Sequence, residues 1–249
     1  MVLHLYGVTT ADAPQPPDLK GRRGGELRLV SAGDLAVIVS DVDADTPAGR
    51  KDLLAHAHVL EGYAEESTVL PMQFGIALPD DGAVREQVLE KDRESLEYLL
   101  HSFDGLLQVT VQAFHHEEPA LREVLRRHPQ LMAAREEMRA FPETATQARQ
   151  VDLGQAVASG LEELQEEDRL MLLDRLAPLS RAVAENDANG AHEILHAAFL
   201  VERAERGAFD EAVGLLRSEN EDRMRLRYVG PQPPYSFLEP MKTGELSWD

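Results

Sequence analysis

Leu106-Leu107-Gln108-Val109-Thr110-Val111-Gln112-Ala113-Phe114 alternates apolar with polar residues closely enough to read as a half-buried strand, and the elements after it decide the fold. Glu117-Glu118-Pro119 opens a helical stretch whose Leu121, Val124, Leu125, Leu131 and Met132 share a stripe, and Phe141-Pro142-Glu143-Thr144 breaks it. A longer helix is predicted from about Gln147 to Ala177. Its Leu153, Val157, Leu161, Leu164 and Met171 lie near coiled-coil spacing, so the two helices pair as an antiparallel arm. Beyond a short strand and a turn at Glu185-Asn186-Asp187-Ala188-Asn189-Gly190, Ile194 to Glu202 reads as a strand. Phe209, Ala212, Val213, Leu215 and Leu216 mark a helix, and Met224 to Val229 a last strand. The order is βαββαβ, the ferredoxin-like arrangement.

Upstream, Val2 to Val8 reads as a strand running into a Pro/Gly-rich stretch from Pro14 to Gly25. Glu26 to Val30 and Leu35 to Val39 form a hairpin around Ser31-Ala32-Gly33-Asp34. Thr46-Pro47 is expected to cap a helix through Leu53, Leu54, Ala57, Leu60 and Ala64. Thr68 to Ile76 is expected to be a strand interrupted by Pro71, hence an edge or a bulge. Asp80 and Asp81 start one long helix with Val84, Val88, Leu96, Leu99, Leu100 and Phe103 on its apolar stripe, closed by Gly105. The expected class is α+β in two domains: an N-terminal mixed α+β domain over 1–104, a modified ferredoxin-like domain over 105–229 with a helical arm at about 118–178, and a Pro-rich tail over 230–249.

The formal charge is −20 on 249 residues, with 43% hydrophobic and 28% charged residues. That composition fills a core, while the acidic excess argues against nucleic acid and against an anionic membrane. The chain has no cysteine, which excludes disulfides, Fe–S clusters and thiol catalysis. Met1 to Tyr6 lacks the features of a signal peptide and no apolar run approaches membrane-spanning length, so a soluble cytoplasmic protein is expected.

His192-Glu193-Ile194-Leu195-His196 matches H-E-x-x-H, in which a helix sets two imidazoles one turn apart on zinc and the glutamate activates water. A zinc-dependent hydrolase, with Glu211 or Glu219 as a distant third ligand, is therefore the alternative to weigh. Phe199 and Glu202 stand where the metzincin continuation needs Gly and His. The pattern also runs into Ala198-Phe199-Leu200-Val201, and on a strand residues four apart are separated by roughly 13 Å, too far to share one ion. His56 and His58 read as an intrahelical polar contact, and His115-His116-Glu117-Glu118 as a helix start with acids favoured by the dipole. Gly21-Arg22-Arg23-Gly24-Gly25 reads as a mobile loop, and Glu162-Glu163 with Glu166-Glu167-Asp168 as a solvated helix face. No cofactor is called for.

Val2 to Gly7 (VLHLYG), Val69 to Gly75 (VLPMQFG), Ala197 to Arg203 (AAFLVER) and Leu226 to Phe237 (LRYVGPQPPYSF), taken in order along the chain, resemble the gas vesicle protein F/L family. The resemblance implies two α+β domains, the second ferredoxin-like, with AAFLVER on a strand. Gln73 stands where the family tends to have a basic residue and Gln232 where it tends to have an apolar or aromatic one. It further implies an accessory or minor structural gas vesicle protein, not an enzyme, that binds the shell subunit and supports nucleation and assembly together with other accessory proteins. The candidate structural or interface residues are Pro71, Phe74, Gly75, Tyr228, Gly230, Pro231, Pro233, Pro234, Tyr235 and Phe237. Gly230-Pro231-Gln232-Pro233-Pro234 is expected to be extended and stiff, delivering Tyr235 and Phe237 into apolar pockets.

Overall fold

The computed structural model describes residues 1–43, 47–140, 147–186, 190 and 192–243. They fall into two compact units. Unit 1 gathers Met1–Val109, Phe199–Arg206 and the chain from Val229 on, and unit 2 holds Thr110–Ala198 and Gly207–Tyr228.

In unit 1, β1 (Val2–Thr10), β2 (Leu27–Ala32), β3 (Leu35–Val42) and β4 (Leu70–Pro71) form a sheet in the order β2-β3-β1-β4, and β5 (Ala77–Leu78) also pairs with β1. The expected hairpin is present: Ala32 pairs with Leu35, and Gly33 takes the positive φ of +63° that a two-residue turn demands. The β1–β3 register slips at Tyr6, which turns the buried phenol toward Ser40. Gly7 follows because a Cβ there would stand 2.7 Å from the Leu70 carbonyl oxygen.

One face of this sheet carries α1 (Arg50–Glu66), whose Val59, Leu60, Tyr63 and Ala64 form a core with Tyr6, Leu27, Ile38 and Val69. Thr46, the expected cap, lies outside the described residues. The helix begins at Arg50 rather than at Pro47: Gly49 is its cap, and Asp52 Oδ2 accepts from the Gly49 N–H at 2.9 Å. The expected strand over 68–76 is also corrected. It shrinks to the two residues of β4, because Gly75 at φ +99° turns the chain before β5.

The expected single helix after Asp80 is three pieces: α2 (Asp81–Val84), a π turn over Arg85–Glu90, and α3 (Arg93–Ser102). Val84 and Leu89 are both fully buried. Residues five apart diverge on an α-helix but align across a π turn, so the bulge lets both reach the core. Three arginines tie these helices to the edge strand. Arg28 on β2 pairs with Asp81 at 2.7 Å, Arg85 Nε donates to the Ser31 carbonyl, and Arg93 donates to that of Ala32.

The second sheet has the order β7-β8-β6-β9, from β6 (Leu106–His115), β7 (Ala182–Glu185), β8 (Glu193–Glu202) and β9 (Met224–Gln232). In chain order that is second, third, first, fourth, the strand order of the ferredoxin-like arrangement. Its helices are α4 (Glu117–Arg127), α5 (Pro129–Ala140), α6 (Gln147–Leu176) and α7 (Arg206–Glu219), and α8 (Leu238–Thr243) follows β9. The first arm helix breaks at His128, since Pro129 has no N–H to continue the ladder and disfavours helical geometry in the residue before it. The break expected at 141–144 and Asp187-Ala188-Asn189 of the expected turn lie outside the described residues. The arm holds a core of its own in Ala120, Val124, Leu131 and Leu164. Gly160 belongs to it: a Cβ there would stand 2.6 Å from Val124 Cγ1, so α4 and α6 can approach only at a glycine.

Candidate functional site

Within unit 1, VLHLYG and VLPMQFG meet in a buried polar and aromatic cluster. His56 Nε2 stands 3.1 Å from the Met72 carbonyl oxygen, which can only accept, so the proton is on Nε2. His56 Nδ1 is then the acceptor for His4 Nε2 at 2.9 Å, and His4 Nδ1 is left buried with no partner among the described residues. The Phe74 ring lies edge-on to both imidazoles, and the Tyr6 ring stacks on His56. Burial pushes His4 down to about 4 and lowers His56 as well; in both, the nearby Arg22 acts in the same direction.

Two sequence expectations change here. His56 bonds across to β1, while His58 faces solvent, so the two histidines make no intrahelical pair. The 21–25 segment is anchored rather than mobile: Arg22 is buried, its backbone N–H donates to Tyr6 Oη, and its guanidinium sits 3.3 Å from Asp52 and over the Phe74 ring. The hydrogen bond from Arg23, with that from the Gly49 N–H, holds the Asp52 carboxyl well below the usual carboxylate range.

The candidate residues occupy three places. Phe74 is in the His4–His56 cluster, Pro71 on β4, and Gly75 at the turn after it. From Gly230 to Phe237 the tail runs along the start of β6: a Cβ on Gly230 would fall 2.8 Å from Val109 Cγ1, and the Ser236 N–H donates to Gln108 Oε1 at 2.9 Å. Pro231, Pro233 and Pro234 are buried, and Phe237 is 2% exposed, whereas Tyr235 stays 43% exposed. Pro71 and Leu238 of α8 both line a cleft of about 400 Å³ floored by Leu96 and Leu99. Tyr228 is elsewhere. In unit 2 its hydroxyl meets Asp210 and its ring stacks on Phe209.

Unit 2 holds a cluster that spacing did not reveal. Asp168, expected to be solvated, is buried on α6 and receives Arg223 through both oxygens, at 2.7 and 2.9 Å, while His115 Nε2 stands 2.8 Å from Oδ2. His115 thus turns inward, away from the helix start to which its neighbours belong. The only available hint was an acid on the Leu164–Leu172 side of α6. Nearer the arm's tip, α4, α5 and α6 enclose an open apolar groove of about 430 Å³.

The H-E-x-x-H pattern lies on β8, with His192 just before the strand and Glu193 buried, where Gln112 reaches it. Among the described residues no group of three or more His, Asp or Glu is placed to hold a metal ion. No helix among them is long and apolar enough to cross a membrane.

A family model described as "Gas vesicle synthesis protein GvpL/GvpF" matches residues 2–239. The chain is 33% identical to gas vesicle protein F of Streptomyces sp. (strain CB03234) over 242 residues, covering 96% of this chain and all of that one. With gas vesicle protein F1 of Halobacterium salinarum the identity is 28% over 242 residues, 95% of this chain and 92% of that one. The crystal structure of GvpF from Anabaena sp. PCC7120 superposes with a TM-score of 0.80 at 25% identity, covering 95% and 98% of the two chains.

Proposed function

We propose a function from one established point: this chain belongs to the GvpL/GvpF family of gas vesicle proteins. Our reading is that it is a cytoplasmic accessory or minor structural component that binds the shell subunit and supports nucleation and assembly of the vesicle, together with other accessory proteins. The function is binding rather than chemistry. A subunit that excludes water from a gas-filled lumen must expose apolar surface before it assembles, and such surface aggregates. A partner carrying −20 covers that surface with one face and keeps the complex dispersed with the rest.

The observation that carries this reading is the pairing of a strongly acidic chain with an apolar groove on its helical arm. Co-expression with the shell subunit tests it. The subunit is expected to move from the pellet to the soluble fraction and to co-purify with this chain. A subunit that stays wholly in the pellet, together with normal vesicles in a strain lacking this gene, defeats the proposal.

A further inference from the structure

We propose that the groove between α4, α5 and α6 is where an amphipathic helix of the shell subunit docks, its apolar stripe on Leu125, Met138, Leu153 and Val157, its backbone against Gly154, and a carboxylate facing Arg135. This rests on the shell-binding reading and names its surface. The groove is lined by apolar side chains from three helices, and Leu125, Leu153 and Val157 are only partly buried, so the arm's own core leaves part of each uncovered. A groove of that composition takes an amphipathic helix through residues spaced three and four apart.

Two independent features select the occupant. The first is Gly154, which sits inside a 30-residue helix although glycine disfavours helix interiors. Gly160 on the same helix is explained by Val124 pressing 2.6 Å from its absent Cβ, whereas nothing lies within 4 Å of the absent Cβ of Gly154. The space over Gly154 opens into the groove, where a partner helix can bring its backbone close. The second is charge. Among the described residues between Leu121 and Val157, which include every residue lining the groove, six arginines meet four acidic residues, a net +2 within a chain of −20. Arg135 stands in the groove wall with no ion pair among the described residues. This span accepts an acidic helix that the rest of the chain repels, and a second copy of the chain, itself at −20, is the disfavoured occupant.

The test uses the tagged full chain co-expressed with the shell subunit and reads the subunit retained in solution. Gly154→Leu and Arg135→Glu are each expected to cut retention about tenfold, as loss of a central contact does. Gly214→Leu, on the exposed side of α7 where the absent Cβ also meets nothing, should leave retention unchanged. Circular dichroism melts confirm that each variant is folded. Folded groove variants that retain the subunit as the wild type does overturn the docking site while the shell-binding reading stands. No retention by the wild type overturns the docking site, and together with normal vesicles in a strain lacking this gene it overturns the shell-binding reading as well. A wild-type dimer in light scattering that Gly154→Leu dissolves assigns the groove to self-association and overturns the proposal.

Discussion

His4 donates to His56 across 2.9 Å, and the far nitrogen of His4 faces no acceptor among the described residues. A proton added there has nothing to bond, and Arg22 beside it opposes the charge. His4 is held down to about 4, whereas the unfolded chain titrates near 6.5, so the unfolded state binds more protons between those values and stability falls as pH drops through that window. From pH 7.5 to pH 5 the loss from His4 alone should be about 2 kcal/mol, and His56 adds to it in the same direction. Urea midpoints at the two pH values measure it. His4→Phe is expected to flatten the dependence while lowering stability at pH 7.5.

Asp168 is 4% exposed, and Arg223 and His115 converge on it. Asp168→Ala leaves a guanidinium and a buried imidazole facing a void, so it should cost about 3 kcal/mol in denaturant titration, in the range for breaking a buried pair. Glu166→Ala, two positions earlier on the exposed face, should leave the denaturation midpoint essentially where it was. Equal losses in the two variants would sink the assignment of Asp168 as a buried anchor.

The tail gives a contrast between the two aromatic residues that flank Ser236. Phe237→Ala removes a ring that is 2% exposed and should destabilise by about 3–5 kcal/mol, while Tyr235→Ala, at 43% exposure, should cost less than about 1 kcal/mol. Gly230→Ala should also destabilise, by about 1–3 kcal/mol, since φ is +154° and a Cβ would press on Val109. Thermal melts of the three variants rank them.

Zinc is expected to leave the chain's melting temperature unchanged, as is EDTA. His192 precedes β8 and His196 lies within it, where extended residues four apart are separated by roughly 13 Å, and Glu193 Oε1 faces both Gln112 and His196. Stoichiometric zinc in the purified protein, lost on His196→Ala, would contradict this.

Periodicity made the elements legible, and partnership across the fold stayed hidden. Ile194 to Val201 could be read as a strand against a helical metal motif because its continuous apolar run suits a strand buried on both faces, and those residues other than His196 are indeed buried. The 30-residue α6 showed in its apolar spacing. The π turn over Arg85–Glu90 did not, because both helical periods leave similar stripes over so few residues. Pro71 announced an edge, but only the turn at Gly75 explains why β4 is two residues long. The His4–His56 and Asp168–Arg223 pairs join residues more than 50 positions apart, and no local pattern encodes such a meeting. Spacing put His56 with His58 and Asp168 in water for that reason.

The make-up of unit 1 has a consequence for the order of events during synthesis. Its last piece, carrying Phe237 and Met241, is translated after every residue of unit 2. Domains ordinarily complete themselves from the N-terminus as the chain emerges. Here the unit that is begun first is finished last: its core around Tyr6, Ile38, Leu60 and Tyr63 comes from the first 69 residues, yet Phe237 and Met241 join the unit only once unit 2 has all its residues. A nascent chain stalled just before Val229 would therefore carry every residue of unit 2 while unit 1 still lacked Phe237 and Met241.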